Sequence, residues 1–211
     1  MVAVMGGIGL IASFLIVFTY QVTKPIIDRN KAYALEQAVF QVVPHAEKKI
    51  AFTPVDGKLK RVEEGQSAAD ELYACYDKNN KFVGVAVEAT GQGFQDLIVL
   101  LYGYSPEKDA VVGMTVLDSK ETPGLGDKIT SDPDFLANFD HLDVKLNAAG
   151  DGLAHPIELA KHGTKTKPYQ IDAISGATIS SRAVTNIMRG STAKYVPLIK
   201  KNLQTLRSAK P

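Results

Sequence analysis

The chain has 211 residues, 45% of them apolar, and a formal net charge of +1; this suits one folded domain with an appendage and excludes a largely disordered protein. Its basic residues are scattered, which gives no electrostatic footprint for nucleic acid. Cys75 is the single cysteine, so an internal disulfide and a cysteine-ligated cluster are excluded, and His45, His141, His155 and His162 lack the spacing of a structural zinc site.

From Met1 to Tyr20 the chain carries no charged side chain, and the first charge is Lys24. An apolar helix of that length matches the ~30 Å hydrocarbon core of a bilayer. It is longer than a signal-peptide core and no Ala-x-Ala site follows, so residues 1–23 read as a retained anchor. Lys24, Arg29 and Lys31 follow the span and, by the positive-inside rule, argue for a cytoplasmic domain, although only this one flank can be weighed. Pro25 is expected to kink or end the membrane helix. Residues 24–50 then read as a connecting amphipathic helix with Tyr33, Ala34, Val39, Phe40 and Val43 on one face, closed by Pro44.

From Glu71 the hydrophobic period shortens to that of strands. ELYACYD and KFVGVAVEA predict a hairpin turning at Asn79 and Asn80, with Val83, Val85 and Val87 alternating as in a half-buried strand. DLIVLLYGYS and AVVGMTVLDSK predict a second pair turning at residues 106–109, with the continuous DLIVLL run placed centrally. A glycine- and proline-bearing loop follows at Glu121–Ile129, then a short helix in DPDFLANF capped by Ser131 or Asp132. DVKLN and QIDAIS predict two further strands. A long helix from Ser181 to about Leu206 keeps Val184, Ile187, Met188, Ser191, Tyr195 and Ile199 on one face. The fold class is α+β: an N-terminal transmembrane helix, an antiparallel sheet and a long C-terminal helix.

DAISGATISS, residues 172–181, lies between the last predicted strand and that helix. Local physics leaves two readings. Ser180 or Ser181 caps the helix and the other hydroxyls decorate a turn, or the exposed N–H groups of the helix start receive an anion such as phosphate.

The order Asp-x-x-Ser-Gly-Ala-Thr resembles the acceptor motif of proteins that carry FMN esterified through its phosphate to a threonine. The resemblance implies Thr178 as the acceptor, with Asp172, Ser175, Gly176, Ala177, Ser180 and Ser181 around it, Ser175, Ser180 and Ser181 being the alternative acceptors, and a flavin transferase that installs the group from FAD. Residues 91–129, containing Glu-Thr-Pro-Gly-Leu-Gly, resemble the G subunit of Rnf electron-transport complexes and the similar C subunit of sodium-translocating NADH:quinone oxidoreductases. In both families an anchor precedes an FMN-binding domain, here residues 51–211. The resemblance implies that Pro123, Gly124 and Gly126 admit a flat ring, that Leu125 presses on it, and that Glu121 or Thr122 hydrogen-bonds its edge.

The Rnf resemblance implies a membrane-anchored electron-carrier subunit of an ion-translocating ferredoxin:NAD oxidoreductase, working beside other membrane and peripheral subunits, with no catalytic site of its own. It also places the domain on the periplasmic or outer face of the inner membrane, against the charge argument. The family's basic leader is missing before the anchor, so the true start is expected upstream, or partner subunits set the orientation. The alternatives are the quinone-reductase C subunit and a flavin-free membrane-anchored scaffold. A serine hydrolase at Ser175 or at Ser191-x-x-Lys194 lacks a base or companion motifs. Gly91-x-Gly93 and Gly124-x-Gly126 lack the third glycine of a dinucleotide fingerprint, and the basic run Lys161–Lys167 reads as a solvated loop or a face for an acidic partner.

Overall fold

The computed structural model describes residues 1–63 and 70–210. The chain divides into two units, residues 1–37 and 38–211. The first unit is most of helix α1, Val2–Val42, which is long and apolar enough to cross a membrane and buries none of its apolar stretch. The helix expected to kink or stop at Pro25 runs through it. Proline deprives only the Gln21 carbonyl of its donor, and the turns on either side keep theirs.

The second unit begins with the last turn of α1, where Ala38, Val39 and Val42 are buried. The connecting helix therefore stops at Val42 rather than at Pro44, and residues 48–50, read as helix, already belong to a strand. A seven-stranded sheet comes next, in the order β2-β1-β3-β4-β5-β6-β7. Its strands are β1 (Lys48–Val55), β2 (Lys58–Arg61), β3 (Leu72–Tyr76), β4 (Phe82–Gln92), β5 (Leu97–Ser105), β6 (Ala110–Asp118) and β7 (Leu142–Asp143). All pair antiparallel. The two predicted hairpins are present, with Asn80 and Asp109 at positive φ in their turns. Sequence reading passed over β1 and β2, whose burial alternates only weakly. The strand expected at DVKLN amounts to β7 and one bridge between Leu146 and Leu153. QIDAIS supplies β9 (Gln170–Asp172), parallel to β8 (Glu158–Ala160).

Helix α2, Pro133–Leu136, is capped by Asp132, whose side chain accepts the Phe135 N–H. The C-terminal helix is two pieces, α3 (Thr178–Lys201) and α4 (Leu203–Ser208), divided at Asn202. The Asn202 side chain accepts the Leu59 N–H and donates to the Gly57 carbonyl, tying this break to the β1–β2 hairpin. Buried Tyr76 donates to the Leu206 carbonyl 2.7 Å away.

Residues 100–105 of β5 are buried on both faces, while Leu97 at its start is exposed and Val99 half-buried. Leu100, Tyr102 and Tyr104 point toward α3, where Tyr102 hydrogen-bonds Ser191 at 2.9 Å. On the opposite face a row of glycines, Gly84, Gly103 and Gly113, receives Val42 and Val43. A Cβ at Gly113 would lie 2.7 Å from the Val42 carbonyl oxygen, and one at Gly103 would overlap it. Val83, Val85 and Val87 are therefore not on a half-buried strand: Gly84 and Ala86 between them are buried too. Burial pushes the Cys75 thiol up to about 12, so it stays protonated and unreactive at neutral pH.

Gly103→Ala is expected to destabilise the second unit by about 3 kcal/mol, because backbone on backbone cannot repack. Gly190→Ala, on an exposed stretch of α3 with nothing within 4 Å, should instead be neutral or stabilising. Thermal unfolding of the detergent-solubilised variants separates the two; equal melting temperatures would show that the glycine row is not a seat.

Candidate functional site

Three chain segments meet at one buried carboxylate. Glu121, 5% exposed, follows β6 and heads the Thr-Pro-Gly-Leu-Gly loop. Its Oε1 accepts the Phe94 N–H at 2.7 Å and the Gln95 N–H at 3.2 Å, both from the tight turn between β4 and β5. Its Oε2 accepts the hydroxyl of Ser180, in the first turn of α3. Gln95 adds a second strap by donating to the Thr122 hydroxyl at 2.9 Å. The turn itself is closed by Gly93 N–H on the Asp96 carbonyl and by the ion pair of Lys120 with Asp96.

Glycine is required on both sides of this carboxylate. A Cβ at Gly93 would stand 2.5 Å from Glu121 Oε1, and one at Gly126 would stand 2.6 Å from Ser180 Oγ and 2.9 Å from Glu121 Oε2. Gly126 thus faces the buried carboxylate, not the open surface where a ring was expected. Gly91 likewise makes room for Ile187 of α3. Gly124 is the glycine at positive φ with open space around it, flanked by exposed Pro123 and Leu125. Glu121 has both oxygens committed within the fold, so it organises the site rather than offering an edge to a ligand.

The hydroxyls of residues 175–181 are divided by the same packing. α3 starts at Thr178, three residues before the sequence expectation, and its N-cap Ala177 makes no side-chain cap. Ser181 does not cap either: its hydroxyl accepts the Ile174 N–H at 3.1 Å and donates to the Ala177 carbonyl at 2.9 Å. Ser180 is held by Glu121, and both serines are buried. Thr178, Ser175 and Gly176 are exposed, with Gly176 at positive φ. Thr178 therefore presents a free hydroxyl at the start of a long helix whose first turn carries no acidic residue. First-turn N–H groups have no partner inside the helix and favour an anion there. These residues fit a phosphoryl group on Thr178.

A cleft of about 230 Å³ is lined by Lys128, Asp134, Phe135, His162, Asp172 and Ser175 among others. Asp172 Oδ2 accepts the Gly163 N–H at 2.9 Å, while its Oδ1 is buried with no hydrogen-bond partner among the described residues. The basic run stays exposed apart from half-buried Lys165, which donates to Asn138 Oδ1, while His162 Nδ1 meets the Ala173 carbonyl. Burial lowers the Lys165 pKa from its ordinary value. The Ser191-x-x-Lys194 pair is spent elsewhere. Ser191 binds Tyr102, and a hydrogen bond to Asp70 raises the Lys194 pKa, the reverse of what a general base needs.

Sequence reading gave Phe94 and Gln95 no role, although both lie in the stretch 91–129 that carries the Rnf resemblance. It also missed the exposed apolar set of this unit: from residue 38 onward, Phe94 (60% exposed), Leu97 (51%), Leu125 (52%) and Ile179 (57%) are the large apolar side chains left exposed among the described residues.

Residues 93–191 match the FMN-binding domain family, so fold and site together define a flavin-binding domain that follows a helix able to cross a membrane. The G subunit of the ion-translocating oxidoreductase complex of Methanosarcina acetivorans is 33% identical over 189 residues, covering 90% of this chain and 89% of that one. The G subunit of the proton-translocating ferredoxin:NAD(+) oxidoreductase complex of Clostridium ljungdahlii is 28% identical, covering 83% and 79%. The chain belongs to the G subunits of ion-translocating oxidoreductase, or Rnf, complexes. NqrC of Shewanella oneidensis shares the fold, with a TM-score of 0.65 at 17% identity over 86% of this chain and 100% of that one.

Glu121→Ala is expected to cost about 3 kcal/mol by stripping three donors of their acceptor. Glu121→Gln should cost under about 1 kcal/mol, since its carbonyl keeps the two N–H groups and its amide donates to Ser180. Denaturant unfolding distinguishes them; equal losses would mean the carboxylate does not hold the segments together.

Proposed function

We propose that this chain is a membrane-anchored electron carrier of an Rnf-type complex, relaying electrons between neighbouring subunits through FMN bonded by its phosphate to Thr178. The observation that carries the reading is the selection among hydroxyls: Ser180 and Ser181 are buried and committed, while Thr178 is exposed at an uncapped helix start. Ser175, also exposed, lies in the turn ahead of the helix rather than in it.

FMN supplies a centre that passes one or two electrons; the chain supplies its position and its electrostatics. The Thr178 hydroxyl forms the new phosphoester, AMP leaves from FAD, and the hydroxyl proton passes to solvent or to the transferase base. The bonded phosphate keeps one negative charge, which the N-terminal turn of α3 stabilises. A bonded flavin cannot be lost by dilution, which matters for a domain on the outer face of the membrane. That orientation rests on the family's flavin attachment outside the cytoplasm, and it outweighs the charges after the span. The partners are the other subunits of the complex and a flavin transferase; for the quinone-reductase alternative there are fold likenesses at 17% and 19% identity, which speak for the fold alone.

Co-expressed with a flavin transferase, the protein should fluoresce on a denaturing gel, and its mass should rise by one FMN less one water. Thr178→Ala should fold normally and stay dark. A flavin still bonded in that variant would reassign the acceptor, and a wild-type band without flavin would leave the scaffold reading standing.

A further inference from the structure

Six basic residues that are scattered along the sequence are gathered by the fold onto one surface of the second unit. Asn202, between α3 and α4, accepts the Leu59 N–H and donates to the Gly57 carbonyl, and Arg61 Nη1 donates to the Lys210 carbonyl. The β1–β2 hairpin and α4 are thereby fastened together. They present Lys58, Lys60, Arg61, Lys201, Arg207 and Lys210, all exposed. Asp56 is the single acidic residue within residues 56–61 and 201–210, which together carry a net charge of +5 in a chain whose total is +1. None of the six cations meets a carboxylate among the described residues, whereas Lys24, Lys120, Lys194 and Lys200 each hold an aspartate. Local reasons account for single charges here. Lysine on an edge strand such as β2 blunts strand-to-strand pairing, and a cation near a helix C-terminus complements its dipole. Neither reason requires the hairpin and α4 to be brought together, and doing so crowds like charges without a counter-charge.

We infer that this basic surface docks on an acidic face of a neighbouring subunit of the complex. The inference rests on membership among the G subunits and is independent of the flavin. Helix α3 rises about 35 Å between Thr178 and Lys201. The surface is therefore out of reach of a group bonded to Thr178, and it serves attachment rather than electron transfer. A bilayer is the other large anion available to an anchored chain. Two observations favour protein instead. A helix that lies on a lipid surface buries an apolar face in it, yet Phe94, Leu97, Leu125 and Ile179, the large exposed apolar side chains of this unit, are all outside the patch. The last turn of α1 seats on the glycine row, on the sheet face away from the one where α4 packs its Leu206 and receives Tyr76. Charge without apolar contact selects a partner by complementarity and is weakened by salt.

The test acetylates exposed lysines with a water-soluble ester and reads each site by mass spectrometry. Three samples are compared: the full chain in detergent, the same chain in nanodiscs containing phosphatidylglycerol, and the assembled complex. Acetylation of Lys201 and Lys210 is expected to fall roughly fivefold in the complex, as an interface excludes the reagent, and to be unchanged in the nanodiscs. Raising the salt from about 0.1 M to about 1 M, which shortens the screening length to ~3 Å, should restore it. Lys58→Glu with Lys60→Glu, both at exposed positions, should restore it at low salt while the melting temperature of the isolated chain stays the same. Equal labelling in chain and complex overturns the docking surface, and so does protection that survives either the salt or the charge reversal. Protection already present in the nanodiscs assigns the charge to lipid and overturns the subunit as partner. Flavin on Thr178 is scored separately by intact mass, so its absence removes the tether and leaves this surface untouched.

Discussion

The site is organised around one carboxylate kept out of water. Glu121 lies at the end of a strand, accepts two backbone N–H groups from a neighbouring turn and one hydroxyl from the start of α3, and so converts three loops into one body. Burying a carboxylate is unfavourable unless its lone pairs are occupied, so the donors and the acceptor specify one another. The glycines are a consequence. Gly93 and Gly126 are small because the carboxylate and its serine occupy the space their side chains would need. A motif that looks designed to admit a ring is, at Gly126, designed to admit a hydrogen bond.

The same arrangement sorts the hydroxyls. Four occur between residues 175 and 181, and their chemistry is nearly the same in solution. Packing makes them different. Ser181 closes the turn onto Ile174 and Ala177, Ser180 is held by Glu121, and Thr178 is left facing solvent where the helix dipole favours a phosphate. An ordinary serine cap would have occupied those N–H groups. Spending the serines on tertiary contacts leaves the helix start open.

The sheet has a second constraint on the face away from α3. Gly103 and Gly113 let the last turn of α1 press the Val42 backbone onto two adjacent strands, and Gly84 on the next strand leaves room for the Val43 side chain. The chain leaving the apolar helix is thus fastened to the middle of the sheet that carries the β4–β5 turn and the loop after β6. A helix end seated by close backbone approach tolerates little displacement, since even one added methyl meets a carbonyl.

Hydropathy and motif order sufficed for the apolar helix, the two hairpins, the α+β class and the resemblance to Rnf G subunits, and narrowed the α2 cap to Ser131 or Asp132, because each is encoded in residues close together in the chain. The valine alternation of β4 was misread as to exposure, since covering of the second face comes from Val42 and Val43, which are distant in sequence. Likewise nothing local in ETPGLG reveals that Glu121 is consumed by Phe94 and Ser180, or that Ser180 and Ser181 are withdrawn from capping. Only the folded arrangement brings the Phe94 N–H to Glu121. Periodicity and short motifs report what neighbours along the backbone dictate, whereas the use of a particular oxygen or glycine is decided by which donors and volumes the fold brings to it from far away.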